Sequence, residues 1–176
     1  GNAIFSRLPI LSSGSHLLPR PADVERKQMA RQATEIVIDT ERGPRRVITT
    51  HLEFHSARQR VAQTARLREL HEEAVAEQLS PPRSETDGPY QFVPRPVDVV
   101  MCGDFNMLPD SDEYQALIRP LGSGDQNLID AWEKYSPGQP YPPTCGVHDR
   151  FQWPEGPHCR DYFFLAGECV TQLSQL

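Results

Sequence analysis

Three short segments hold side chains suited to phosphate or metal chemistry. In Gly103-Asp104-Phe105-Asn106, side chains alternate along an extended backbone, so Asp104 and Asn106 are expected to point the same way. A carboxylate beside a neutral amide suits a hard cation and an attacking water. Asp and Asn also form ordinary turns after strands, which is the plainer alternative. In Thr50-His51-Leu52 a histidine closes a β-branched run, where it can donate to a phosphoryl oxygen or carry a proton. A structural histidine would fit the same place, and the nearby His55 reads as a surface or capping residue. In Arg160-Asp161-Tyr162-Phe163-Phe164-Leu165 a carboxylate leads into an aromatic run. It would serve either to fix a histidine tautomer or as a salt bridge at a strand edge.

These residues need elements to position them. Gly1-Asn2-Ala3-Ile4-Phe5-Ser6-Arg7 reads as a short strand running into a loop. Residues 34–39 and 45–50 are β-branched runs split by Arg42-Gly43-Pro44, a hairpin signal. Residues 56–79 lack Gly and Pro and read as a helix capped by Ser56, with Val61, Ala65, Leu67, Leu70 and Ala74 at helical spacings. Residues 80–96 form a Pro-rich surface loop. Residues 97–102 make a buried strand leading into Asp104, and Ser111 caps a short helix through about Ile118. Residues 127–132 fit a strand or a helical turn equally. Residues 162–165 form an aromatic strand, and the alternating run 170–176 reads as a further strand. Strands interleave with helices throughout, so the class is α/β or α+β.

Other clusters argue less. Cys145, His148, His158 and Cys159 are all potential zinc ligands, but adjacent His and Cys rarely reach one tetrahedral ion, so a packed loop with His158 near substrate is preferred. Arg20, Arg26, Lys27 and Arg31 are interrupted by Asp23 and Glu25 and read as a solvated face. Trp132, Trp153 and Tyr141 read as packing residues.

The chain has 176 residues, 38% hydrophobic and 24% charged, which suits one globular domain. Its net charge of −6 argues mildly against a dedicated polyanion binder. No apolar run reaches the ~20 residues a membrane helix needs. Four cysteines in this length do not make a disulfide scaffold, which points to a reduced, cytoplasmic setting.

Taken in order, residues 1–10, Thr50-His51-Leu52 with its helix, Gly103-Asp104-Phe105-Asn106 and Arg160-Asp161-Tyr162-Phe163 resemble the endonuclease/exonuclease/phosphatase superfamily. The resemblance implies a four-layered α/β sandwich, with two packed mixed β-sheets flanked by helices. It implies that His51 contacts the phosphate and that Asp104 positions or deprotonates water near the metal. It further implies that Asn106 contacts phosphate or metal and that Asp161 orients a later histidine. The implied chemistry is divalent-metal-dependent hydrolysis of a phosphoric ester, with Mg²⁺ or Mn²⁺ held by Asp104 and Asn106. The substrate would be nucleic acid, phospholipid or a small phosphodiester. The family pattern also holds strands bearing an Asn and a Glu ahead of Gly1 and a Ser-Asp-His after Leu176. Residues 1–176 are therefore expected to be a single incomplete domain, lacking the first part of the fold and the final strand. A catalytically inactive binding module of the same fold is the alternative.

Overall fold

Two β-branched runs, Gln32–Ile38 (β2) and Arg45–His51 (β3), pair antiparallel in the computed structural model, which describes residues 1–83, 88, 90–122, 124 and 126–174. Their turn holds Gly43 at φ +97°, a conformation that glycine adopts without side-chain penalty. Ile10–Leu17 (β1) pairs antiparallel with β2 on the outside. On the other side, Val99–Asp104 (β4) runs parallel to β3. A parallel pair needs a long crossover, and Ala57–Leu79 (α1) supplies it. Asp161–Ala166 (β6) pairs antiparallel with β4, and the two-residue strand Ile129–Asp130 (β5) closes the edge. The sheet order is β1-β2-β3-β4-β6-β5.

One face of the sheet packs under α1 and Asp112–Ile118 (α2). Ala33, Ile48, Val99, Met101 and Phe164 meet Leu67, Leu70 and Leu117 in a continuous core, with Phe105 and Tyr162 beside them. Fully buried side chains such as Leu67, Leu70 and Phe164 each contribute about 1.5–3 kcal/mol by leaving water. The alternation of β2, β3, β4 and β6 sends Ile36, Val47, Val100, Cys102 and Phe163 to the opposite face. Phe163 is 51% exposed there. The described residues thus build one mixed sheet with α1 and α2 on one face, half of the two-sheet sandwich that the family resemblance implies.

Local chemistry explains where the expected boundaries held and where they moved. Ser56 caps α1 by accepting from the Gln59 amide at 3.2 Å, and Ser111 caps α2 by accepting from Tyr114 at 3.3 Å. Of the residues at helical spacing in α1, Leu67, Leu70 and Ala74 are buried, whereas Val61 and Ala65 are exposed. Gln59 and Gln63 replace them, because their amides donate to the carbonyls of Pro21 and Pro19 at 2.9 and 3.2 Å and so tie down the loop after β1. The first strand begins at Ile10, not within residues 1–7. Its Ser12-Ser13-Gly14-Ser15 centre carries no hydrophobic alternation, so pairing with β2 makes the strand rather than burial. Residues 127–132 turn out to hold both alternatives, β5 followed by the short helix Ala131–Tyr135 (α3) capped by Asp130. The run expected as a strand from 170 starts inside a helical turn, Glu168–Thr171 (α4), which Asp98 anchors by accepting from the Glu168 amide at 2.8 Å. Its last two residues, 175 and 176, lie outside the described residues. Residues 80–83 and 90–96 carry no helix or strand, as a Pro-rich loop should; 84–87 and 89 lie outside the described residues.

Candidate active site

The register of the central strands sets His51, Asp104 and Asp161 in one row. His51 is the neighbour of Asp104 across the parallel β3–β4 pair, and Asp104 is the neighbour of Asp161 across the antiparallel β4–β6 pair. All three project from the face opposite α1, at one end of the sheet. His51 Nε2 lies 3.4 Å from Asp104 Oδ2, with the two side chains 47% and 33% exposed, so the pair is open to a ligand.

Two backbone features hold this corner. Gly103 sits at φ +145°, and a Cβ there would run into the Thr50 carbonyl of the adjacent strand. Only glycine lets β3 and β4 approach closely enough to juxtapose His51 and Asp104. The chain then leaves the strand: Asn106 adopts φ +51°, a region that asparagine tolerates better than most residues. The expected alternation from Asp104 to Asn106 is therefore broken. The Asn106 amide nitrogen of the backbone donates to Asp104 Oδ1 at 2.9 Å, and its buried side chain donates from Nδ2 to the Leu52 carbonyl at 2.9 Å. Asn106 thus joins the two loops behind the row, leaving its Oδ1 as a ligand for a metal and its second Nδ2 hydrogen as a donor to phosphate.

Burial pushes the Asp104 carboxyl above the usual carboxylate range. The Asn106 N–H and the neighbouring His51 and Arg160 oppose that shift, and Asp161 reinforces it. Glu53 shows the reverse balance. Burial alone would raise its carboxyl, but the amides of His55 and Met29 and the Arg31 guanidinium hold it below the usual range. Glu53 thereby fastens the loop that follows His51. Arg31, expected on a solvated face with Arg20, Arg26 and Lys27, instead turns inward to lie 3.5 Å from Glu53, because that buried carboxylate needs a cation.

Several site neighbours carried no assigned role in the sequence. The Arg160 Nη1 donates to the Asn106 carbonyl at 3.0 Å and its Nε donates to His158 Nε2 at 2.8 Å. Thr144 Oγ1 accepts from the amides of Arg160 and Asp161 at 3.0 and 3.3 Å, fixing the entry to β6. Asn2 Nδ2 donates to the carbonyls of Gln32 and Thr49 at 3.1 and 3.4 Å, placing the first residues beside His51. The Arg160–Asp161 dipeptide was the only available signal for this shell; the partners of Thr144 and Asn2 are distant in sequence. Cys145 and His158 face each other across an isolated bridge, His148 is exposed, and Cys159 donates to the Asp161 carbonyl at 3.2 Å. The four are distributed around a packed loop. His55 is exposed, and Trp132 is half-buried. An apolar cavity of about 260 Å³ lies on the far side of Asp161, lined by Tyr141, Pro142, Cys159 and Phe163.

The matching family model covers residues 1–168 and is described as the Endonuclease/Exonuclease/phosphatase family. The chain belongs to this family. A comparison with curated proteins finds no sequence match. Among solved structures, the human Nocturnin catalytic domain with bound sulfate anion is 19% identical at a TM-score of 0.57, covering 92% of this chain and 49% of that one. The mannosyl-6-phosphatase of Bacteroides thetaiotaomicron is 16% identical at 0.53, covering 90% and 53%. TDP2 of D. rerio, complexed with single strand DNA product, is 19% identical at 0.52, covering 92% and 54%. At these identities the likeness is one of fold, and the chain spans about half the length of each structure. The expected family and α/β fold are thus borne out, with this chain supplying the six-stranded sheet and its helices.

Within the family domain, metal-binding capacity rests on hard oxygens. Among the described residues no group of three or more His, Cys, Asp or Glu is gathered to cage an ion. Mg²⁺ is commonly held by one or two carboxylates with water completing its shell, and the adjacent Asp104 and Asp161 match that requirement. They do not match a zinc site built from thiolates and imidazoles.

Proposed function

We propose that this chain carries part of the active site of a phosphoric-ester hydrolase, a phosphodiesterase or phosphatase dependent on Mg²⁺ or Mn²⁺. The observation that carries the reading is the row of His51, Asp104 and Asp161 on three adjacent strands, backed by buried Asn106. Family membership supports the same reaction class. The names of the similar structures span phosphatase and DNA-product complexes, so the substrate is proposed as a phosphoester of nucleic acid, lipid or small-molecule type.

In this mechanism the phosphoryl group lies over the row. His51 Nε2 donates a hydrogen bond to a non-bridging oxygen. Asp104 orients the attacking water and accepts its proton, a task favoured by a carboxyl whose proton affinity burial has increased. Water then attacks phosphorus in line with the departing alkoxide. Asn106 holds Asp104 through its backbone N–H and offers Oδ1 to the site. Asp161 serves as the acceptor that would orient a second imidazole. Asp104, with Asn106 Oδ1 or Asp161, would hold a divalent ion, which would neutralise charge on the phosphoryl oxygens when bound.

Metal removal tests the reading. The protein at its natural length should hydrolyse bis(p-nitrophenyl) phosphate, lose turnover after chelation and regain it with Mg²⁺ or Mn²⁺. Phosphate binding without turnover under either ion would favour the binding-module alternative.

A further inference from the structure

Partly buried arginines in this chain are matched with acids. Arg31 faces Glu53, Arg45 faces Asp98 and Glu168, Arg60 faces Glu113, and Arg95 faces Glu35, Glu73 and Glu77. Fully buried Arg46 has no carboxylate within 4.0 Å among the described residues and donates instead to His71 Nδ1 at 2.8 Å in the core. Arg160 also lacks an acid partner, but it stands beside the His51–Asp104–Asp161 row. Among the described residues no carboxylate oxygen lies within 4.0 Å of its guanidinium. Its partners are neutral: the His158 ring nitrogen at 2.8 Å, the Asn106 carbonyl at 3.0 Å, and the Trp153 ring, whose centre lies 4.7 Å from the guanidinium carbon. Trp153 is itself braced edge-on by Phe54 and His158, at 5.4 and 4.7 Å between ring centres.

Anchoring a loop does not require this charge. A ring nitrogen and a carbonyl accept equally from a neutral donor, and burying part of an unneutralised guanidinium carries a desolvation cost. The cation is nevertheless held stiffly, and it bonds the carbonyl of Asn106, the residue whose backbone N–H holds Asp104. Asp104 and Asp161 repel an incoming anion, in a chain whose net charge is already −6. A fixed cation beside them offsets that repulsion, and the fork of a guanidinium matches phosphoryl oxygens. Of the five guanidinium N–H groups, one goes to His158, one to the Asn106 carbonyl and one to the Cys145 thiol, which leaves donors for a phosphoryl oxygen.

We infer that Arg160 is an anion-binding residue of the site. Its guanidinium takes a phosphoryl oxygen of the substrate on the Trp153 side of the His51–Asp104–Asp161 row, and Trp153 sets its orientation. The inference rests on the phosphoester reading of that row, and it assigns specificity for the anionic group to a residue outside it.

Calorimetric titration of inorganic phosphate into the natural-length protein, and into R160Q and H51Q, separates the two claims. R160Q should weaken binding by about tenfold to a hundredfold, the range of a charge-assisted hydrogen bond, while melting like the parent. Millimolar guanidinium ion should restore much of the lost affinity, which it could not do if the residue only braced the loop. Parental affinity in R160Q together with weakened H51Q would overturn the role of Arg160 and leave the row intact. Parental affinity in both variants, or no binding by the parent, would overturn both. Should R160Q fail to fold, R160K carries the test: it keeps the charge and should retain measurable binding, and a folded R160K that binds no phosphate overturns the charge argument.

Discussion

At the scale of single residues, Asp104 makes a chemical and a structural demand that conflict. Its carboxyl is pushed up by burial, so the ionised form needed to accept a proton is disfavoured in the folded protein. A raised folded-state pKa means the carboxyl supports folding at acid pH and loses that support as pH rises through the folded value. Asp104→Asn stays neutral, so near neutral pH it should melt higher than the parent while hydrolysing far less substrate. Thermal melting and turnover on the same preparation check both halves. Activity kept at sites and stability gained away from them often trade in this way. Asn106 gives a second case. Its side chain bonds Leu52 behind the row, so Asn106→Ala should lower the melting temperature as well as turnover. The residue types were readable in the sequence, since Asp104, Asn106, His51 and Asp161 do converge. The direction of Asn106 was not, because a positive φ cannot be inferred from alternation.

At the scale of elements, the site depends on two strands lying unusually close. Gly103→Ala would drive a methyl group into the Thr50 carbonyl, and either β3 or β4 must move. The variant should lose roughly 2–3 kcal/mol of stability by denaturant titration. Turnover should fall further than that loss explains, because His51 and Asp104 would be misaligned; unchanged kinetics in a folded Gly103→Ala would show that the close approach is dispensable. Element prediction succeeded where the signal was local. The caps Ser56 and Ser111, the Gly43 turn and the β-branched pair all act through near neighbours. It failed for β1, whose strand character comes from pairing with β2, and for α4, which Asp98 anchors from 70 residues away. The burial of Gln59 and Gln63 in α1 was illegible for a related reason: distant carbonyls accept from their amides.

At the scale of the whole molecule, the layer between α1 and the sheet is held by polar as well as apolar contacts. His71, fully buried on α1, accepts from Arg46 Nη2 at 2.8 Å and donates to the Gln126 carbonyl at 2.6 Å. Burial first, then the charges of Arg46 and Arg68, press its pKa down to about 4 against a counteracting hydrogen bond to Gln126. A histidine whose folded-state pKa lies below its unfolded value supports folding fully above the unfolded value. That support is lost as pH falls from about 6.5 to about 4, and it amounts to something on the order of 3 kcal/mol. Denaturant titrations across this window should show stability falling with acid in the parent. His71→Gln, which does not titrate, should have a shallower slope whatever its absolute stability. An identical slope would place the acid sensitivity elsewhere. Nothing in the sequence distinguished this histidine from the others, since its partners lie 25 and 55 residues away.

The His51–Asp104 pair is the proposed working centre of a phosphoric-ester hydrolase. The most direct test compares kcat for a phosphodiester, with saturating Mg²⁺, among the natural-length protein, His51→Ala and Asp104→Ala, each checked for folding by melting. Losses of about a hundredfold to ten-thousandfold in both variants, with melting preserved, are predicted. Parental turnover in either folded variant would contradict the assignment.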